Sequence, residues 1–265
     1  MQKEIEVLGV RFNNVTMDEA LDVIFENLKK HQPGYICTPN PEILLEAEKN
    51  PEYKKVINSS ILNIPDGIGI LWAATHIVAK NTKLHALLSL PLISISPSKF
   101  KQALRERVTG IDLVQKIAER AAIHGSKLFL LGAAPGIAEI AGEKLGSKYQ
   151  NLKIAGTFAG SPHENDCENI ISLINRSGAD ILFVAYGAPA QEMWIAKNLH
   201  KLTTVKIAAG IGGSFDFIAG KYKRAPQWMQ KLGLEWLYRL IKQPSRWKRI
   251  YNATIKFPAK IIKAL

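Results

Sequence analysis

Cysteine is scarce: Cys37 and Cys167 are the whole supply in 265 residues. That is too few for a disulfide framework, and it suits a reducing compartment. Long apolar runs are missing as well. The most apolar stretch, 85–95, is interrupted by Pro91 and several serines and falls far short of the ~20 residues that span a bilayer. The N-terminus, Met1-Gln2-Lys3-Glu4-Ile5-Glu6-Val7-Leu8, carries acids where a signal peptide needs a basic and then an apolar run. A cytoplasmic protein without a spanning segment is expected. Several chemical signatures are absent too. The six histidines are scattered, His163-Glu164 has no partner at ligand spacing, and there is no Asp-x-Asp to hold a divalent ion, so no metal is expected. Neither a G-x-G-x-x-G fingerprint, a P-loop Lys-Ser/Thr nor a nucleophile elbow occurs.

Acidic residues are missing from one region in particular. Residues 221–265 hold 12 Lys or Arg and a single acid, Glu235, so this segment carries +11 of the chain's +12. The first 220 residues are close to neutral. With 47% hydrophobic and 22% charged residues the body has an ordinary globular composition, and its length suffices to bury a core without staples. We therefore divide the chain into a catalytic-sized domain, 1–220, and a basic tail, 221–265. Three of the five tryptophans lie in the tail. Trp228, Leu232, Trp236 and Leu240 recur at helical spacing as an apolar stripe; Pro244-Ser245 ends that helix, and Trp247, Ile250 and Tyr251 open another. A solvated charged face, a nucleic-acid surface and an interfacial amphipathic element are all compatible with so basic a tail. Its Trp, Tyr and Leu content favours the membrane surface.

Periodicity in the body alternates. Glu4–Val10 and Arg11–Val15 read as a short extended pair. Thr16 and Glu19 form a capping box before a helix whose Leu21, Ile24, Phe25 and Leu28 share one face. Short apolar strands follow at 35–37, 61–64, 127–131, 152–157, 181–186 and 205–209, separated by helical stretches. One such helix spans 68–79, and another is entered through Pro135 near its first turn. No internal repeat is present. This alternation predicts an α/β fold: a Rossmann-like, mostly parallel sheet flanked by helices, with a small N-terminal β element and a basic helical C-terminal tail. In such sheets ligands collect beyond the carboxyl ends of the strands. The Gly, Pro, Asp and Asn residues fall there, in Thr38-Pro39-Asn40-Pro41, Pro65-Asp66-Gly67, Gly132-Ala133-Ala134-Pro135-Gly136, Gly187-Ala188-Pro189 and Gly210-Ile211-Gly212-Gly213.

Position alone leaves two readings of Asp66, a turn or N-cap aspartate and a general base at the mouth of the sheet. The turns at Gly132 and Gly210 could present N–H groups to phosphate, or merely let a helix pack close to a strand. Cys37 reads as a buried strand cysteine rather than a nucleophile. Any phosphate charge would have to be met by Arg and Lys.

Taken together, several segments resemble the WecG/TagA/CpsF glycosyltransferase family. They are Thr38-Pro39-Asn40-Pro41-Glu42, Ile64-Pro65-Asp66-Gly67-Ile68-Gly69, Glu106-Arg107-Val108-Thr109-Gly110-Ile111-Asp112-Leu113, Leu130 to Gly136, Gly187 to Glu192, Gly212 to Phe217, and Arg224-Ala225-Pro226 through Glu235 to Arg239. They stand in family order and cover most of the chain. The resemblance implies an inverting transferase moving N-acetylmannosamine, or a related sugar, from a UDP-sugar to undecaprenyl-diphosphate-linked N-acetylglucosamine, in surface polymer synthesis of the teichoic acid type. The protein would work peripherally, on the cytoplasmic face of the membrane. It implies Asp66 as base, Thr38 and Asn40 in the sugar pocket, Gln191 and Glu192 in the stretch that contacts the nucleotide, and Gly132 near the diphosphate. Arg107, Arg224, Arg239, Arg246 and Arg249 would neutralise charge. The UDP-sugar is then a substrate and no cofactor is implied. Other partners would be the lipid-linked acceptor and an anionic membrane surface, not nucleic acid; self-association into a homo-oligomer stays open.

Two features depart from the family pattern. Ala190 stands where a basic residue usually precedes Gln-Glu, and residues 81–103 look like an insertion, a surface excursion, a lid or a second membrane-touching element. The reading from a different class is a non-catalytic nucleotide- or RNA-binding protein that uses the basic tail.

Overall fold

The computed structural model describes residues 3–30 and 32–265; Met1, Gln2 and His31 lie outside the described residues. The first two strands, β1 (Glu4–Val7) and β2 (Val10–Asn13), form an antiparallel hairpin with Ile5 opposite Phe12. Its two-residue turn places both Leu8 (φ 50°) and Gly9 (φ 78°) in the left-handed region, which matches the right-handed twist of the strands. Thr16 and Glu19 then cap helix Met17–Lys30 reciprocally, as the capping box predicts: the Glu19 N–H donates to Thr16 Oγ1, and Glu19 Oε2 accepts from the Thr16 N–H at 2.9 Å.

Six further strands form one parallel sheet: β3 (Gly34–Cys37), β4 (Leu62–Asn63), β5 (Lys127–Gly132), β6 (Lys153–Phe158), β7 (Ile181–Ala185) and β8 (Ile207–Gly210), in spatial order β4-β3-β8-β7-β5-β6. The strands are apolar because both faces are covered. Ile36, Leu128, Leu130, Ile181 and Phe183 pack with helices Met17–Lys30, Gly110–His124 and Ile137–Lys148 on one side. Tyr35, Cys37, Phe129, Leu131 and Val184 pack on the other, under helices that include Ile68–Val78 and Ala190–Asn198. Cys37 is buried in its strand, as read from sequence. From β3 the chain steps outward to β4, whereas from β5 it steps the opposite way to β6. Such a reversal opens a crevice at the carboxyl edge.

Pro135 stands in the turn two residues before helix Ile137–Lys148, near its first turn as expected. One expectation needs correction. The stripe Trp228, Leu232, Trp236, Leu240 does not run along one helix, because helix Gln227–Lys231 ends before helix Glu235–Lys242 begins. Gly233 makes the break at φ +69°, where a Cβ would stand 3.1 Å from Ile68 Cγ2; backbone approach and left-handed φ both favour glycine there. The last helix, Phe257–Ala264, is part of the body. It packs on helices Pro41–Lys49, Ile68–Val78 and Lys83–Ser89, and its Phe257 and Ile261 are buried in the core.

Candidate active site

The turn after β4 is built against the turn after β3. The Asp66 N–H donates to the Pro39 carbonyl at 3.1 Å, and a Cβ on Gly67 would meet Pro41 Cδ at 3.3 Å. The segment that precedes helix Gly110–His124 closes over both, with the Val108 N–H donating to the Pro65 carbonyl at 3.0 Å. A Cβ on Gly110 would lie 3.1 Å from Ser214 Oγ and 3.8 Å from Thr38 Oγ1, so the turn after β8 joins the same cluster. Thr38-Pro39-Asn40, Pro65-Asp66-Gly67, Thr109-Gly110 and Ser214 thus converge at one mouth.

Asp66 does not cap the helix that follows it. The N-cap of Ile68–Val78 is Gly67, at φ 134°, and no side chain caps this end. That removes the capping alternative. Asp66 keeps some surface open to the crevice, yet its carboxyl lies deep enough that burial pushes its pKa up to about 6. The guanidiniums of Arg107 and Arg239 and the Gly110 N–H draw it back down, while Glu235 adds to the rise. A carboxyl poised near 6 is ionised at neutral pH and remains basic enough to accept a proton.

The other carboxylates at this mouth are occupied. Arg224 grips Asp112 with both terminal guanidinium nitrogens, Nη2 at 2.8 Å, and Thr109 Oγ1 donates to Asp112 Oδ2 at 2.7 Å. Although burial raises Asp112, these bonds dominate and hold it below the usual carboxylate range. Glu42 pairs with Arg249 at 2.8 Å and Asp216 with Lys221 at 3.1 Å.

The tail therefore folds over the crevice. Arg239 contacts Glu235 at 3.1 Å and lies over the Phe217 ring at 4.7 Å. The Nε groups of Arg224 and Arg239 are buried without a hydrogen-bond acceptor. Arg246 is half-buried, its guanidinium hydrogen-bonds Gln243 alone among the described residues, and it is held below the ordinary guanidinium range by burial and then by the charges of Arg249 and Arg239. Arg107 donates weakly to the Gln230 carbonyl at 3.4 Å. Cations crowded with spare donors beside a crevice form a cradle for an anion.

Asn40 caps helix Pro41–Lys49, its Oδ1 accepting from the Glu42 and Ile43 N–H groups at 3.0 and 3.1 Å, which leaves the Nδ2 amide to offer a ligand. Gln191 and Glu192 are buried. Gln191 Oε1 accepts from the Gly187 N–H at 3.1 Å and the Gly212 N–H at 2.9 Å, clipping the turns after β7 and β8 together. Gln191 Nε2 donates to Glu192 Oε1, and Tyr53 donates to Glu192 Oε2 at 3.0 Å. Burial raises the Glu192 carboxyl. Gly132, at φ +102°, would place a Cβ 2.8 Å from the Ala185 carbonyl carbon, so its immediate role is close packing between strands. Gly210 instead lets a strand pack close to a helix: a Cβ there would collide with Gln191 and Glu192 of helix Ala190–Asn198. Sequence reading missed Glu235 and Ser214 as members of the cluster. The one signal for Glu235 was its being the sole acid in the tail. Among the described residues no group of three or more His, Cys, Asp or Glu could hold a metal ion, and no helix is long and apolar enough to cross a membrane.

A parallel α/β sheet whose carboxyl edge carries Asp66, with the guanidiniums of Arg107 and Arg239 close enough to lower its pKa, is a candidate site for an anionic ligand. The chain belongs to the WecG/TagA/CpsF family of glycosyltransferases, whose model matches residues 5–90 and 80–265. It is 34% identical over 264 residues, 99% of this chain and 92% of the relative, to the N-acetylglucosaminyldiphosphoundecaprenol N-acetyl-beta-D-mannosaminyltransferase of Bacillus subtilis (strain 168). It is 31% identical over 264 residues, 98% of this chain and 93% of the relative, to the protein of the same name from Staphylococcus aureus (strain MRSA252).

Proposed function

We propose that this glycosyltransferase moves N-acetylmannosamine from a UDP-sugar to undecaprenyl-diphosphate-linked N-acetylglucosamine in one inverting displacement. The names of the relatives support the acceptor and the sugar. The observation that carries the mechanism is the contrast at the mouth: Asp66 is open to the crevice and raised to about 6, while Asp112, Glu42 and Asp216 are each held by a cation. Asp66 takes the proton from the acceptor hydroxyl as it attacks the anomeric carbon. The bond from that carbon to the diphosphate oxygen breaks, and the electron pair leaves with UDP. Arg107, Arg239 and Arg246 meet the charge that develops on the leaving diphosphate, with Arg224 and Arg249 fixing the tail to Asp112 and Glu42. Thr38 and the Asn40 amide face the sugar, and Gln191 shapes the nucleotide side by tying its two turns. The protein sits peripherally on the cytoplasmic face of the membrane, through the basic, tryptophan-bearing tail. No divalent ion is needed, since guanidiniums supply the positive charge.

The test is a product assay with a panel of UDP-sugars and a short-chain lipid-diphosphate acceptor, with and without EDTA. UDP-N-acetylmannosamine should give product of inverted anomeric configuration, nearly unchanged by chelator. Product of retained configuration would exclude the single displacement, and loss in EDTA restored by magnesium would exclude the arginine-only account.

A further inference from the structure

Helix Lys83–Ser89, within the segment 81–103, is amphipathic the wrong way round. Leu84, Leu87 and Leu88, at i, i+3 and i+4, are 64%, 51% and 68% exposed, while the positions turned to the core are Ala86 and Ser89, 0% and 4% exposed. A helix on the surface of a soluble body turns its leucines inward. Here the orientation is fixed by polar anchors. Trp72 Nε1 donates to Ser89 Oγ at 2.9 Å, His76 Nε2 lies 2.8 Å from the same oxygen, and Thr75 Oγ1 donates to the Phe100 carbonyl at 3.1 Å. Phe100 and Leu104 are buried behind it.

The surroundings indicate what covers this face. Residues 67–105 carry five cations, Lys80, Lys83, Lys99, Lys101 and Arg105, and no acid at all. The last helix and the tail are both adjacent: helix Phe257–Ala264 packs on helix Lys83–Ser89, and a Cβ on the tail's Gly233 would stand 3.5 Å from the Ile93 carbonyl. Exposed leucines flanked by lysines beside a basic, tryptophan-bearing surface have the chemistry of an interfacial element, its apolar face in the acyl boundary and its ammonium groups at anionic headgroups. We propose that Leu84, Leu87 and Leu88 dock into an anionic phospholipid bilayer as a second contact beside the tail. This rests on the membrane-surface reading of the tail for the charge next to it.

The test is sedimentation of the full-length chain with vesicles of phosphatidylcholine plus phosphatidylglycerol, and of phosphatidylcholine alone. Leu84→Gln/Leu87→Gln/Leu88→Gln keeps helix propensity and removes exposed apolar surface; its partition onto the mixed vesicles should fall by about 10- to 100-fold, with unchanged melting. Replacing the three leucines by Phe should preserve binding. If the triple Gln variant misfolds, the single Leu88→Asp variant decides, with the same loss expected. A triple Gln variant that partitions like the parent overturns the proposal. So does a parent that sediments as a dimer when the triple variant is monomeric with unchanged partition, which would assign the face to a second copy. Loss of binding in the triple Gln variant but not in Lys248→Gln/Lys256→Gln would remove the tail reading and leave this one standing.

Discussion

Asp66 follows β4 and Glu192 stands in the helix after β7, with β3 and β8 between those two strands, and burial raises the pKa of both, yet the two regions use that common effect differently. Glu192 is sealed by Tyr53 and Gln191, which donate to its two oxygens, and these bonds tie helix Pro51–Asn58 to the turns after β7 and β8. Asp66 faces the crevice, with cations near it but, among the described residues, no side chain hydrogen-bonded to it. The same desolvation thus acts on a hydrogen-bonded strut in one place and, in the mechanism proposed above, on a proton acceptor in the other; the partners differ.

The sharpest way to break this comparison is Asp66→Asn, which keeps shape and removes the basic oxygen. Transfer should fall on the order of 10²-fold or more while melting temperature holds, because Asp66 caps no helix. Near-normal transfer would exclude Asp66 and return the role to a paired carboxylate. Next in size is Arg239→Gln. Losing a guanidinium that faces both Asp66 and the anion cradle should lower transfer by about 10- to 100-fold. It should also move the acid limb of the rate profile above its expected position near pH 6, since a cation that lowers the Asp66 pKa is gone. An unmoved limb would show that the limb is not Asp66.

Glu192 should respond in the opposite currency. Glu192→Ala leaves the Tyr53 hydroxyl and the Gln191 amide buried without acceptors, at a cost of about 1–3 kcal/mol each, so melting temperature should drop by several degrees. Glu192→Gln, which still accepts one bond, should lose less. If Glu192→Ala instead melts like the parent and only UDP affinity falls, Glu192 touches nucleotide and the strut assignment fails.

The sheet, the helices and the convergence of the turns were legible because they depend on local pattern: apolar strands with Gly and Pro at their carboxyl ends can be read one segment at a time. The capping box at Thr16 and Glu19 is of the same kind. What could not be read were pairings across more than a hundred residues, such as Arg224 with Asp112 and Arg249 with Glu42. Charge alone marks these arginines as basic without saying which acid each one meets. The tail stripe failed for a related reason. Helical spacing from Trp228 to Leu240 is real in sequence, but Gly233 bends to fit Ile68, a contact no local pattern announces.

The smallest effect expected is on stability against pH, and it separates the two acids most finely. Because the folded-state pKa of Asp66 lies near 6, above its ordinary value of 3.8, the native state binds more protons than the unfolded chain between those values. Stability from this group therefore increases as pH falls through about 6 toward 4 and is absent at pH 7. Its size is reduced because Asp66 keeps some contact with solvent. Glu192 contributes with the same sign, so the parent carries both slopes. Asp66→Asn should flatten part of the gain between pH 7 and 4 and leave the remainder, and Glu192→Gln should do the converse. Chemical denaturation of the parent and both variants at pH 7, 6, 5 and 4 measures this. If Asp66→Asn keeps the parent's full slope, Asp66 titrates in the folded protein at its ordinary value, and burial does not tune it.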